Sequence, residues 1–132
     1  MSLASDSNSP VLIAGGGIGG LAAALALSRI GWPSVVLEQS REFGEVGAGI
    51  QISPNVFKMF DALGIRDAIE RIAVFPDSIL VRDAVSGAEI LRTPLGSEFL
   101  ARYHYPYGVI YRVDIHNVFL EACQAAVAAP RP

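Results

Sequence analysis

A glycine-rich turn between an apolar strand and an apolar helix constrains this chain most. Residues 11–14 read Val-Leu-Ile-Ala, which predicts a short strand buried on both faces, as in parallel sheets. Gly15, Gly17 and Gly20 follow in the spacing G-x-G-x-x-G, and residues 21–30 predict a helix. In this pattern the first glycine allows a tight turn, the second lets a pyrophosphate approach the backbone, and the third lets the helix pack closely on the sheet.

A second strand and an acidic residue complete the unit. Residues 31–33 break the helix, residues 34–37 predict a β-branched strand, and Glu38 follows it. At this separation a dinucleotide-binding fold places the carboxylate that accepts ribose hydroxyl protons, and the same charge would repel a 2′-phosphate. Because a helix N-terminus favours anions, the segment predicts a dinucleotide phosphate site. The alternative is a βαβ unit that carries a capping glutamate and binds no nucleotide.

Composition limits the domain count and the partners. The 132 residues amount to one domain at most, and the net charge of −3 argues against nucleic-acid binding. The single cysteine cannot form an internal disulfide, which fits a reducing compartment. Residues 10–28 are uncharged, but five glycines and a strand-to-helix break argue against a membrane span or signal peptide. We therefore expect a soluble, cytoplasmic protein whose residues 1–9 form a disordered tail or tag.

Two helices are predicted after a glycine-rich loop. Residues 40–52 are glycine-rich and too polar for a core, which indicates a loop that passes close to another group. The next helix is predicted to start with Ser53 as N-cap and Pro54 as first residue, and to end at Gly64. Its predicted buried stripe consists of Val56, Phe60 and Leu63. A shorter helix is predicted over residues 67–72, and Ile65, Ile69 and Ile72 are predicted to be buried.

The spacing of the hydrophobic residues then changes from a helical to an alternating pattern. Residues 78–85 and 89–93 alternate around Ser86-Gly87, which predicts an antiparallel hairpin. We therefore expect residues 75–107 to leave the nucleotide-binding sheet for a second, antiparallel one, with a loop over residues 102–107.

A buried strand and a final helix are predicted at the end of the chain. Residues 108–111 form the strand, and Asp114 is predicted as the N-cap of the helix. The side chains predicted to face inward are Ile115, Val118, Phe119, Ala122, Cys123 and Ala126. His116 is predicted to lie on the surface.

Few other residues suggest chemistry. Arg112 comes directly after a predicted strand, and open α/β sheets bind ligands at the carboxyl ends of their strands. Arg112 could therefore pair with a phosphate or be a solvated arginine, and both alternatives stay open. Arg41 is a similar case, and His104 is either a substrate contact or part of a loop packed by its own tyrosines. Cys123 is predicted to belong to the core, and no Cys/His cluster has metal-ligand spacing. The residues thus predict a cofactor site, with no metal and no identifiable catalytic group.

Several stretches resemble one family in order. They are residues 13–20 with Glu38, and residues 42–51, 82–87 and 111–116. The chain resembles the N-terminal part of the single-component FAD-dependent aromatic hydroxylases, flavoprotein monooxygenases that include salicylate and 3-hydroxybenzoate hydroxylases. Residues 95–99 with Arg102-Tyr103 are similar to the 3-hydroxybenzoate 6-hydroxylase branch.

The resemblance implies a truncated α/β architecture. A Rossmann-like FAD/NAD(P)-binding fold, a parallel sheet with helices, would be joined by an antiparallel hairpin from a substrate-domain sheet. Residues 10–74 and 108–132 would form an incomplete FAD-binding domain, and residues 75–107 an incomplete part of the substrate domain.

The resemblance also implies site residues. Gly15, Gly17 and Gly20 would hold the FAD pyrophosphate, Glu38 would hold the adenosine ribose, and Arg112 would contact the phosphate or ribityl portion. The remaining implied contacts along FAD are Ile18, Gln39, Arg41 and Gln51.

Family members reduce the flavin with NADH or NADPH and use O₂ to hydroxylate a phenolic or benzoic ring. The implied partners are a small aromatic acid, O₂ and the remainder of such an enzyme, with a homodimer as one option and no nucleic acid or membrane. Catalytic and substrate residues would lie beyond Pro132, so the chain alone is expected to be inactive.

Two alternatives stay open. One is a non-catalytic dinucleotide-binding module, or a remnant, that keeps the fold. The other is an NAD-dependent dehydrogenase fragment, which fits the first fifty residues equally well but leaves residues 47–51 and 111–116 unexplained.

Overall fold

A computed structural model describes residues 9–40 and 48–128. The elements in chain order are β1 (Val11–Ala14), α1 (Ile18–Arg29), β2 (Ser34–Leu37), β3 (Gly49–Ile52), α2 (Pro54–Ala62), α3 (Arg66–Ile72), β4 (Ser78–Arg82), β5 (Glu89–Pro94), α4 (Ser97–Tyr103), β6 (Gly108–Tyr111) and α5 (Arg112–Ala128). The chain divides into two compact units: a first unit of Met1–Gly47 and Arg112–Pro132, and a second unit of Ala48–Tyr111.

The first unit contains the predicted βαβ arrangement. β1 and β2 pair in parallel, with Val11 opposite Ser34 and Ala14 opposite Leu37, and α1 connects them. α1 begins at Ile18, before the predicted start, and its buried residues are Leu21, Ala24 and Leu25. The strand-helix-strand prediction is therefore confirmed, with the helix extended by one turn into the glycine motif.

The prediction that β1 is buried on both faces is wrong. Burial alternates along both strands, and the exposed side chains include Leu12 at 67% and Leu37 at 54%. This period-two alternation is the pattern of a sheet covered on one face.

α5 also belongs to the first unit, and it corrects two predictions. The helix begins at Arg112, so Asp114 lies in its first turn and is not its N-cap. Ile115 and Phe119 are buried as predicted, whereas His116, predicted on the surface, is only 3% exposed. The other predicted inward-facing residues are half-buried: Val118, Ala122, Cys123 and Ala126.

In the second unit, β3 and β6 form an antiparallel pair. Gly49 lies opposite Tyr111 and Ile52 opposite Gly108, and Val74 adds a bridge to Val109. Residues 49–52 were predicted as part of a loop, which is wrong because β6 supplies the backbone partners that this short segment lacks locally. Residues 108–111 form a strand as predicted.

The core of the second unit lies between α2, α3 and β6. Its buried residues include Ile52, Phe57, Phe60, Leu63, Ile65, Ile69 and Ile110. Phe57 is 0% exposed and was missed, whereas Val56, predicted in its place, is half-buried. Phe57 packs so closely on β6 that a Cβ at Gly108 would lie 3.1 Å from its ring. Ile72, predicted buried, is 36% exposed at the end of α3.

The predicted hairpin is confirmed, and one helix was missed. β4 and β5 pair antiparallel, with Ser78 opposite Pro94, and the Asp83 carboxylate accepts the Ser86 N–H at 2.7 Å to close the turn. α4 covers part of the stretch predicted as a loop and ends at Tyr103, and its C-cap His104 adopts the left-handed conformation at φ 64°. Within the described ranges, no helix is long and apolar enough to cross a membrane.

Candidate functional site

The glycine turn of the first unit is shaped by two glycines. Gly15 has φ +101°, a conformation that L side chains rarely adopt, and its N–H donates to the Leu37 carbonyl at 2.7 Å. A Cβ at Gly20 would lie 1.9 Å from the Gly15 carbonyl oxygen. The turn therefore requires a bare backbone at the point where α1 crosses the end of β1.

The start of α1 faces out of this turn. Gly17 is the N-cap and has no side chain to bond the first N–H groups, and the first turn contains no acidic residue. The first N–H groups of a helix have no partners within the helix, and they carry its positive partial charge. This arrangement favours an anion.

Glu38 reaches back to the same turn. Its Oε2 accepts the Gly16 N–H at 2.7 Å, and its Oε1 accepts the Ser40 N–H at 2.8 Å. These hydrogen bonds, first from Ser40 and then from Gly16, lower the pKa of the Glu38 carboxyl group below its usual value. The structure thus places an ionised carboxylate directly at the glycine turn.

His116 approaches the turn from α5. Its Nε2 lies 2.8 Å from the Gly16 carbonyl oxygen. Because a carbonyl only accepts, Nε2 must carry the hydrogen and donate it. The sequence contains a weak signal for this contact, since His116 shares the helical stripe of Phe119 and Cys123 at three- and seven-residue spacing. The apolar neighbours obscured it.

α1 and α5 run side by side in the same direction. His116 contacts Gly16 before the start of α1, and one heptad later the Cys123 thiol donates to the Leu21 carbonyl at 3.3 Å. Burial raises the pKa of this thiol, in keeping with a packing role. Both helices therefore present their N-termini at the same end of the first unit.

Arg112 lies at the N-terminus of α5. It is the exposed first residue of α5, one helical turn before His116. Four residues of helix rise about 6 Å, so the start of α5 lies about that far ahead of His116 along the helix axis. Arg112 is exposed there, and its contact with a phosphate stays a prediction.

The other predicted site residues do not all lie at the glycine turn. Ile18 is the half-buried first residue of α1, and Gln39 is exposed next to Glu38. Gln51 is exposed on β3, opposite Val109, and belongs to the second unit. Arg41 lies outside the described residues. In the part of the chain that the structure describes, no group of three or more His, Cys, Asp or Glu side chains is arranged to hold a metal ion.

Comparison with known proteins gives a consistent result. Residues 8–111 match the family model described as an FAD binding domain. The chain is 54% identical over 115 residues to a 3-hydroxybenzoate 6-hydroxylase from Polaromonas naphthalenivorans (strain CJ2), a match that covers 87% of this chain and 29% of the relative. It is 47% identical to 3-hydroxybenzoate 6-hydroxylase 1 from Aquipseudomonas alcaligenes, covering 86% and 29%. The chain thus spans about three tenths of the length of these relatives.

Solved structures show the same fold. The p-nitrophenol 4-monooxygenase PnpA from Pseudomonas putida DLL-E4 is 26% identical with a TM-score of 0.79, covering 89% of this chain and 30% of that one. HpxO from Klebsiella pneumoniae, solved with FAD and uric acid, is 27% identical with a TM-score of 0.76, covering 92% and 30%.

Proposed function

The chain belongs to the family of FAD-binding domains, and we propose that its first unit binds the adenosine diphosphate half of FAD within an NAD(P)H-dependent aromatic-ring monooxygenase. One observation carries this proposal. The Glu38 carboxylate lies 2.7 Å from the nitrogen of Gly16, inside a turn whose glycines leave the backbone bare.

The residues present fit the cofactor. Gly15, Gly17 and Ile18 line the turn at the start of α1, where the free N–H groups would hold the diphosphate. The Glu38 carboxylate accepts the Gly16 and Ser40 N–H groups, and hydrogen bonds from the Ser40 side chain and the Gln39 backbone also lower its pKa. The ribose hydroxyls would donate to this carboxylate, and Gln39 would lie beside them.

Arginine and glutamine side chains would complete the site. We propose that Arg112 pairs with the diphosphate or contacts the ribityl chain. This is supported by its place at the N-terminus of α5, at the same end of the first unit as the N-terminus of α1. Arg41 and Gln51 would lie along the remainder of FAD, as the family resemblance implies.

The proposed reaction is hydroxylation of a phenolic or benzoic acid ring with O₂, after reduction by NADH or NADPH. The 3-hydroxybenzoate 6-hydroxylases among the relatives support this substrate class. FAD supplies the redox and oxygen chemistry when bound, and the chain's own residues bind and orient it.

The domain assignment belongs to the same proposal. Residues 10–74 and 108–132 would belong to the FAD-binding domain, and residues 75–107, which contain the β4–β5 hairpin, to the substrate domain. A substrate pocket would need the part of a full-length enzyme that this chain does not span. The proposed assembly is a homodimer.

Spectroscopic titration with FAD tests the proposed function. We expect the 132-residue chain to bind FAD near 1:1 and to shift its flavin absorption. Glu38→Ala should weaken binding by about 1–3 kcal/mol, because ribose hydroxyls lose a charged acceptor. Glu89→Ala is the matched control: it also removes one carboxylate, from an exposed ion pair with Arg92 on the hairpin, and should leave affinity unchanged.

Other outcomes would point to other functions. A chain that binds neither FAD nor NADH would be a non-catalytic module that keeps the fold. Binding of NADH without FAD would indicate a dehydrogenase, and unchanged FAD affinity in Glu38→Ala would remove Glu38 from the site.

A further inference from the structure

The glycine turn cannot define its own shape. Five of the six residues from Gly15 to Gly20 are glycine, and glycine reaches more backbone conformations than any other residue. A single conformation of this segment must therefore be imposed by hydrogen bonds from outside it. The structure shows such bonds at Gly15, whose N–H donates to the Leu37 carbonyl, and on both sides of Gly16.

Gly16 is held from both sides. Its N–H donates to the Glu38 carboxylate at 2.7 Å, and its carbonyl accepts from His116 Nε2 at 2.8 Å. Gly16 itself is buried and His116 is 3% exposed, so the bond between them is shielded from competing water. The bond to Glu38 is part-buried.

The His116 contact determines where the next N–H points. The Gly16–Gly17 peptide is trans, so the Gly16 carbonyl and the Gly17 N–H point in opposite directions. With the carbonyl bound to His116, the Gly17 N–H is directed away from α5. A rotation of this peptide would turn a carbonyl oxygen towards the space where a diphosphate binds, and like charges would repel.

We propose that His116 is a positioning residue for the nucleotide: by binding the Gly16 carbonyl, it fixes the direction of the Gly17 N–H and keeps the turn in the form that accepts a dinucleotide diphosphate. This inference rests on the proposed function of the same site. Glu38 fixes the preceding peptide in the same way, so α5 and β2 together hold the turn.

Three variants of the 132-residue chain test this role. His116→Phe keeps a ring and removes the donor, and His116→Gln keeps a side-chain N–H donor. Phe119→Leu is the matched control, because Phe119 is 2% exposed one turn along the same helix and its truncation lowers core packing. FAD and ADP titrations measure affinity, with ADP as the probe of the diphosphate site. Amide hydrogen exchange at Gly16 and Gly17 measures the turn itself.

We expect His116→Phe to lower affinity for FAD and ADP alike by about five- to tenfold, the effect of one lost buried hydrogen bond. Exchange at Gly16 and Gly17 should accelerate selectively. His116→Gln should recover affinity to within about twofold of the wild type, and Phe119→Leu should lower the melting temperature while affinity changes by less than about twofold.

The inference is overturned if His116→Phe binds like the wild type, if it behaves like Phe119→Leu, or if His116→Gln binds no better than His116→Phe. In each case a wild-type chain that binds FAD leaves the proposed function intact. A wild-type chain that binds neither FAD nor ADP would overturn both.

Discussion

Single residues decide the form of the glycine turn. The Gly15 carbonyl lies against Gly20, the Gly16 N–H is bound by Glu38, and the Gly16 carbonyl is bound by His116. Each of these contacts joins the turn to a different segment of the first unit. A change at one of them should therefore alter the turn without unfolding the whole chain.

Gly20 and Gly19 offer a matched pair of substitutions. In Gly20→Ala the new methyl group would lie 1.9 Å from the Gly15 carbonyl oxygen, and the backbone would have to move to relieve this clash. We therefore expect a loss of about 1–3 kcal/mol in unfolding free energy. Gly19 lies in the same helical turn with nothing within 4 Å of an added Cβ. Gly19→Ala should be neutral or stabilise by up to about 1 kcal/mol. Urea unfolding measures both, and equal losses would contradict the close crossing.

The Glu38 carboxylate should make stability depend on pH. Its pKa is lowered from 4.5 in the folded chain by N–H donors, so the unfolded state takes up its proton first on acidification. The stabilisation is present above pH 4.5 and is lost as the pH falls through the folded pKa. We expect wild type to be more stable than Glu38→Gln at pH 7 and the difference to shrink in acid. Urea unfolding from pH 7 to pH 3 tests this, and a difference independent of pH would refute it.

At the scale of elements, α1 is the centre of the first unit. It connects the two parallel strands and packs along α5, which brings the N-termini of both helices to one end. Its buried residues Leu21, Ala24 and Leu25 supply much of the apolar contact in this unit. The opposite face of the two strands is exposed, with Leu12, Val35 and Leu37 on it.

Substitution of a buried and an exposed leucine tests this one-sided burial through the free energy of unfolding. Leu25 is 1% exposed on α1, so Leu25→Ala should cost about 2–5 kcal/mol through lost burial and the cavity that remains. Leu12 is 67% exposed on β1, so Leu12→Ala should change the unfolding free energy by less than about 0.5 kcal/mol. Chemical denaturation compares them, and a large loss in Leu12→Ala would show that this face is covered in solution.

At the scale of the whole molecule, the chain contains two compact units and spans about three tenths of its curated relatives. The proposed adenosine diphosphate site lies in the first unit alone. Under the proposed function, cofactor binding would need the first unit alone, whereas turnover would need more of the enzyme.

We expect the 132-residue chain to bind FAD without hydroxylating an aromatic acid, because it matches only 29% of a 3-hydroxybenzoate 6-hydroxylase. Chromatography of 3-hydroxybenzoate incubated with the chain, FAD and NADH measures product, and FAD with NADH alone is the control for uncatalysed oxidation. Product above that control would show that these residues suffice for the reaction.

The amino-acid sequence by itself determined the local units. The strand, glycine turn, helix, strand and Glu38 are close in the chain, and so are the two strands of the β4–β5 hairpin, so pattern and turn residues were enough to predict them. Only the tertiary structure revealed β3, which needs β6 as its partner, and the burial of His116 against a carbonyl 100 residues away. Hydrophobic period and turn propensity act over a few residues, whereas the partner of a backbone strand or a buried imidazole is chosen when distant segments pack together.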